Sequence, residues 1–152
     1  MKPEIWGPAV WNFFHTIACK IKEDQYLNIR RPLFMFIRRI CRLLPCPDCA
    51  NHATAFLAKI DDSKINSKYE LINFLFIFHN SVNTRKKKEL FKIENINQYS
   101  NNSLSNTYNY FVGVFSNATK GNMGTISDTF HRKLLTNDLK TWIINNAGAF
   151  NA

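Results

Sequence analysis

Two cysteines with two residues between them, Cys46 and Cys49 in LLPCPDCANHA, are the residues of this chain whose types and spacing most directly suggest chemistry. Pro45 precedes them; it has no backbone N–H to lose and a φ suited to a first helical turn, so it predicts a helix start with both thiols in the first turn. There the unpaired N–H groups and the positive end of the helix dipole favour thiolate over thiol. A dithiol that cycles between reduced and oxidised forms is the chemistry implied. Half a zinc site is the alternative: Cys46, Cys49 and His52 follow one another at three-residue spacing, and His79 or His15 would complete the set. Structural zinc usually takes paired knuckles, and the chain has no second CxxC or HxxxH. A thioredoxin-like setting for CxxC would need alternating strands and helices around it, and none are visible.

Two further clusters carry polar or aromatic groups at helical spacing. Trp11 and His15, four apart, share a face of an otherwise apolar segment, which suits either a flat aromatic ligand such as a flavin or adenine, or a core tryptophan beside a satisfied histidine. In FHNSVNTRKKKELF, His79 and Asn83 share a face and Arg85 to Lys88 close the helix. The helix dipole favours cations there, and a phosphate would favour them equally.

The elements that must position these groups read as helices. Val10, Phe13, Phe14, Ile17, Ala18 and Ile21 recur with helical period after Gly7–Pro8. A second helix is read from Pro32 to Leu44, with Leu33, Phe36, Ile37, Ile40 and Leu44 on one face and Arg30, Arg31, Arg38, Arg39 and Arg42 at its start or on the solvated side. These two helices are expected to pair antiparallel across KEDQYLN. In that hairpin Cys19 and Cys41 fall roughly 10 Å apart along the axis, beyond bridging distance, so both are expected to be buried free thiols unless they bridge two chains. The cysteine helix continues through Ala53, Phe56, Leu57 and Ile60. DDSKIN follows as a loop, and Ser67 with Glu70 forms a capping box for a fourth helix presenting Leu71, Phe74, Leu75, Phe78 and Val82.

The chain has 152 residues, 45% of them hydrophobic with 13 Phe, enough for a real core without disulfide staples and incompatible with general disorder. Its formal net charge of +9 suits an anionic partner, a phosphorylated cofactor among them, or simply solubility. The basic residues lack the interleaved aromatics of a nucleic-acid surface. Nothing after Met1 reads as a signal peptide or a membrane span, so the expectation is a soluble intracellular protein, with the N-x-S/T triplets at Asn101 and Asn117 incidental.

Together these motifs resemble the Erv/ALR family of FAD-linked sulfhydryl oxidases. GPAVWNFFH fits the family's G-x-x-x-W-x-x-x-H with Gly7, Trp11 and His15 in register. CPDC supplies the redox pair, and HNSVNTRKKKELF fits the HNxVN segment. The resemblance runs from Trp6 to about Phe91. It implies an all-α fold, a four-helix bundle binding FAD at its mouth, over residues 1–95, with a helical C-terminal extension over residues 96–152. It implies catalytic Cys46 and Cys49, and FAD contacts from Gly7, Trp11, His15, Cys49, His52, His79, Asn80, Val82, Asn83, Lys86, Lys88 and Phe91, with no metal. His52 is left either bordering the flavin or capping the helix surface. Two departures stand out: Pro8 where cellular members usually carry Arg, and Phe74 where a Trp is common. The additional cysteine pairs of cellular members are missing, which resembles the versions of large cytoplasmic DNA viruses. The implied partners are a thioredoxin-like or other small dithiol protein and O2, in a homodimer located in the host cytoplasm or the virion, with no nucleic acid and no membrane.

Beyond Phe91, ENINQYSNNSLSNTYN reads as loop or frayed helix. YFVGVFSNATKGNMG holds an apolar run of either type, ending in a Gly-rich turn. Asp128 is the expected cap of a last helix whose stripe is Phe130, Leu134, Leu135, Leu139, Trp142 and Ile143, with Gly148 as its stop.

Overall fold

In the computed structural model, which describes residues 3–117 and 123–152, the described residues form helices and no strand beyond one isolated bridge between Ile21 and Phe150. Six α-helices follow in order: α1 (Pro3–Lys20), α2 (Tyr26–Arg42), α3 (Pro47–Ala58), α4 (Lys68–Arg85), α5 (Leu104–Phe115) and α6 (Met123–Asn145). Short 3-10 segments occupy Glu23–Gln25, Asp62–Lys64, Ile93–Asn101 and Ala147–Ala149. The all-α reading holds.

The helix starts differ from the sequence expectation, and prolines explain most of it. Pro8 and Pro32 lie inside α1 and α2 rather than at their starts, each within the first two turns, where a missing N–H forfeits a single backbone bond. At the cysteine helix the N1 proline is Pro47, not Pro45. Cys46 directly precedes it and is held extended at φ −125° and ψ 111°, because the ring of a following proline disfavours the helical region. Cys46 is therefore the N-cap of α3. The expected box before α4 is half formed: the Ser67 hydroxyl accepts from Glu70 N at 3.0 Å, while the Glu70 carboxylate accepts from the preceding N–H, Asn66 N, at 2.6 Å.

One continuous core joins all six helices, built on Phe13, Phe14, Phe34, Phe78, Phe111 and Phe115 with aliphatic partners. Among the described residues the close backbone approaches of α1 are to α5, α4 and the Ile93–Asn101 segment, and those of α2 are to α3 and α6. Phe13 shows why: its ring stacks on Phe111 of α5 at 4.8 Å, so an aromatic face of α1 is covered by the extension. The ambiguous YFVGVF run is thus helical, in α5.

Helix α6 begins at Met123, so Asp128 lies within it rather than capping it. The Gly-rich turn expected before it, KGNMG, lies partly outside the described residues, and its last two residues, Met123 and Gly124, belong to α6. It ends at Asn145, where Asn146 turns the chain through bonds to Trp142 O, and Gly148 belongs to the 3-10 turn beyond. Leu135 and Leu139 are buried as expected, but Phe130 and Leu134 are exposed and Arg132 and Thr136 are buried in their stead. The register of α6 on α2 causes this: Arg132 meets Leu43, Asp138 meets Arg39 and Trp142 meets Phe36, an antiparallel series. No helix among the described residues is long and apolar enough to cross a membrane.

Candidate functional site

Cys46 and Cys49 are joined as a disulfide at the start of α3, with Cα atoms 5.2 Å apart. The N-cap role of Cys46 is filled by sulfur: its Sγ accepts the Cys49 backbone N–H at 3.2 Å. The two sulfurs face different surroundings. Cys46 is half-buried, whereas Cys49 is buried and lines a cleft of about 800 Å³ bounded by α1, α3 and α4. That volume is in the range of a small-molecule or cofactor site.

The cleft collects most of the residues singled out from sequence. Gly7 and Trp11 line it from α1, Cys49 and His52 from α3, and His79, Val82, Asn83, Lys86 and Lys88 from α4 and its C-terminal turn. A Cβ on Gly7 would meet no atom within 4 Å, so that wall is open. Trp11 and His79 are parallel, 7° apart in plane with ring centres 4.3 Å apart.

His15, Asn80 and Phe91 stand behind this wall rather than on it. His15 is buried, with its Nε2 2.9 Å from Nδ1 of His79. Burial, reinforced by His79, pushes the His15 pKa down to about 3; burial and the Lys88 ammonium push His79 to about 4. Both imidazoles are neutral at pH 7, so one of the facing nitrogens carries the hydrogen and the other accepts it. Asn80 uses both ends of its amide on Phe91, donating to its carbonyl at 3.0 Å and accepting its N–H at 2.7 Å. Phe91, so held, stacks on His15 and His79. His52 is more than half exposed at the rim, 3.8 Å from Asp48, whose carboxylate also lies 3.7 Å from Arg85.

Left-handed backbone places two of the cleft-lining lysines. Lys87 has φ 57°, and the N–H groups of Lys87 and Lys88 return to the carbonyls of Thr84 and Asn83, the pattern of a Schellman stop. Lys86 and Lys88 line the cleft on either side of that turn. Burial, then Lys88 and Arg85, lowers the Lys86 pKa, so this end of the cleft concentrates positive charge that an anion would relieve.

Several lining residues were not singled out from sequence. Trp6 lines the cleft, and its indole Nε1 is buried with no hydrogen-bond partner while the Lys86 ammonium lies 5.8 Å above its ring. Tyr99 reaches the cleft from the 3-10 segment and stacks on His15 at 4.9 Å. Cys41, expected as a buried spectator, is buried but also lines the cleft, its thiol pushed up to about 12 by desolvation. Cys19 is free but only half-buried, contrary to the expectation; its thiol lies 3.9 Å from the Ile96 carbonyl of the 3-10 segment. Trp6 follows the helical period of Val10 and Phe13 and could have been found that way; Tyr99 and Cys41 arrive from elements whose packing no local pattern specifies.

The zinc alternative finds no support in this geometry. The two sulfurs are bonded to each other, and among the described residues no group of three or more His, Cys, Asp or Glu could hold a metal ion.

Comparison with known proteins agrees with the arrangement. The chain is 37% identical over 87 residues to the 096R protein of Invertebrate iridescent virus 3, which carries the provisional name FAD-linked sulfhydryl oxidase. That match covers 57% of this chain and 59% of the relative, so the chain spans less than two thirds of that protein's length. It is 27% identical over 115 residues to the FAD-linked sulfhydryl oxidase of African swine fever virus, covering 73% of this chain and 96% of the relative. With the FAD-linked sulfhydryl oxidase ERV1 of Oryza sativa it shares 32% identity over 91 residues, 60% of this chain and 46% of that protein. Residues 8–101 match the Erv1/Alr family, a span that takes in the cleft lining except Trp6 and Gly7, from Pro8 through the disulfide to Tyr99, and the chain therefore belongs to the Erv1/Alr family.

Proposed function

We propose that this protein is an FAD-dependent sulfhydryl oxidase that makes disulfides in protein dithiols and passes the electrons to O2. The observation that carries the reading is the position of Cys49: one sulfur of a CxxC disulfide forms part of the wall of a cleft whose other walls are aromatic rings and lysines.

The cleft fits FAD on its own chemistry. The cofactor is long, planar at both ends and anionic in the middle. The cleft offers flat faces at Trp11, His79 and Phe56, an unfilled space at Gly7, an unpartnered indole N–H at Trp6, and the Lys86 and Lys88 cations. In this assignment Trp11 borders the ring system with His15 supporting it from behind, His79 and Asn83 hold the adenine and ribose end, and Lys86 and Lys88 neutralise the pyrophosphate. Bound there, FAD would supply the two-electron acceptor for the reduced pair and the route to O2, with hydrogen peroxide as the product.

The chain's own residues handle the thiol chemistry. A substrate thiolate attacks Cys46 Sγ, the less buried sulfur, forming a mixed disulfide and releasing Cys49 as thiolate into the cleft. The second substrate thiolate attacks its partner sulfur, closing the substrate disulfide and expelling Cys46. Donation from the Cys49 N–H to Cys46 Sγ, with the α3 dipole, stabilises that leaving thiolate and speeds the release. The chain ends the half-reaction with two reduced cysteines, having accepted two electrons.

The substrate class proposed is a thioredoxin-like or other small dithiol protein, and the unit proposed to hold the cofactor is residues 1–95. A homodimeric state and a cytoplasmic or virion location complete the proposal, on the strength of the family resemblance and the viral relatives. An absorbance scan of the purified protein tests the central point: a flavin band and dithiothreitol-dependent peroxide release are expected, and a folded, colourless protein that cannot be loaded with FAD would overturn it.

A further inference from the structure

Arg132 of α6 is buried although it carries a full charge, and its Nε donates to the carbonyl of Leu43 at 2.5 Å. Leu43 is the C-cap of α2, where helix-end carbonyls lack intrahelical partners. Three residues later Cys46 caps α3, so the carbonyl Arg132 holds belongs to the short connection that delivers the redox pair. The guanidinium also lies 5.6 Å above the Phe115 ring of α5, which fixes its direction from the far side. Neither Arg132 nor Phe115 falls within residues 8–101, so this brace comes from the part of the chain outside the family match.

We propose that Arg132 is a positioning residue for the redox pair, by which the C-terminal extension sets the angle between α2 and α3 and thereby holds Cys46 as the sulfur N-cap of α3. The functional consequence rests on the dithiol reading above; the geometry does not. A guanidinium is suited to the task because its planar, permanently charged fork fixes direction as well as distance. A second tie between the same helices, Arg39 to Asp138 at 3.0 Å, lies partly in solvent and touches no residue of the connection, which makes it the matched control.

The brace acts on the reduced state. With Cys46 held as N-cap, its thiolate accepts the Cys49 N–H; with the connection loosened, that stabilisation is lost and the disulfide becomes harder to reduce. The full chain and its variants are equilibrated in glutathione buffers, in which two glutathione molecules reduce the Cys46–Cys49 disulfide and leave as glutathione disulfide. The disulfide fraction is then read by alkylation and mass spectrometry. Arg132→Met is expected to shift the equilibrium about tenfold toward the disulfide, about 30 mV for a two-electron couple, and Asp138→Asn to stay within twofold of the unsubstituted protein. Arg132→Lys, which keeps the charge without the fork, is expected to shift it at least threefold, and it carries the test should the methionine variant not fold. An unshifted lysine variant, an unshifted methionine variant, or an Asp138→Asn shift as large as that of Arg132→Met would each overturn the proposal. The measurement needs no flavin, so a protein that binds none would sink the oxidase reading while this test still returned its answer.

Discussion

His15 Nε2 and His79 Nδ1 face each other at 2.9 Å, joining α1 to α4 directly behind the cleft wall. The pair needs an accepting nitrogen on one ring, since two imidazolium rings would present donors and like charges to each other. Both are held far below the ordinary imidazole range, His15 to about 3 and His79 to about 4.

Acid should therefore loosen the fold through this pair. Between pH 6.5 and about 4 the unfolded chain binds protons on these histidines and the native one does not, so stability is fully present above 6.5 and falls as the pH drops through that window. Urea unfolding at pH 7 and pH 5 is expected to differ by roughly 2 kcal/mol for each of the two histidines, and His15→Phe to reduce the difference. Equal stability of the two proteins' pH profiles would contradict the neutral-pair account.

The four cysteines are expected to separate cleanly. Cys49→Ser removes the sulfur in the cleft and should abolish dithiol-dependent flavin reduction, read as bleaching under anaerobic dithiothreitol. Cys19→Ser, changed outside the cleft near the Ile96 carbonyl, should leave turnover within about twofold, an effect under ~0.5 kcal/mol in the barrier. A dead Cys19 variant would refute the assignment.

Asn80 holds the Phe91 backbone through two hydrogen bonds. Asn80→Ala strands both groups and is expected to cost about 1–3 kcal/mol by chemical denaturation. Faster amide exchange over residues 91–101 should accompany it; unchanged exchange there would show that Phe91 is held by stacking alone.

Lys87 occupies a left-handed position that glycine fills without strain. Lys87→Gly is expected to stabilise the protein by about 1 kcal/mol, with a higher Tm and an unaltered flavin content, because Lys87 does not line the cleft, whereas Lys86 and Lys88 on either side of it do. A lower Tm would mean the Lys87 side chain contributes more than its backbone strain costs.

What local pattern determines, this sequence determined well. Helical periodicity gave the four helices of the cleft, Ser67 and Glu70 marked the start of α4, and Trp11, Cys49, His79 and the lysine run were legible because each is a short-range arrangement of distinctive side chains. Even the error at Pro45 was local: a following proline disfavours the helical region for Cys46, so the true helix start was written two residues on. Tertiary structure alone decided the rest. Which faces of α1 meet α5, that His15 sits against His79, that Cys41 and Tyr99 reach the cleft, and that Arg132 rather than Phe130 turns inward all depend on contacts between residues tens of positions apart. Such contacts are set by how whole helix surfaces fit together, and a repeat of apolar residues along one helix carries no information about which partner will cover it.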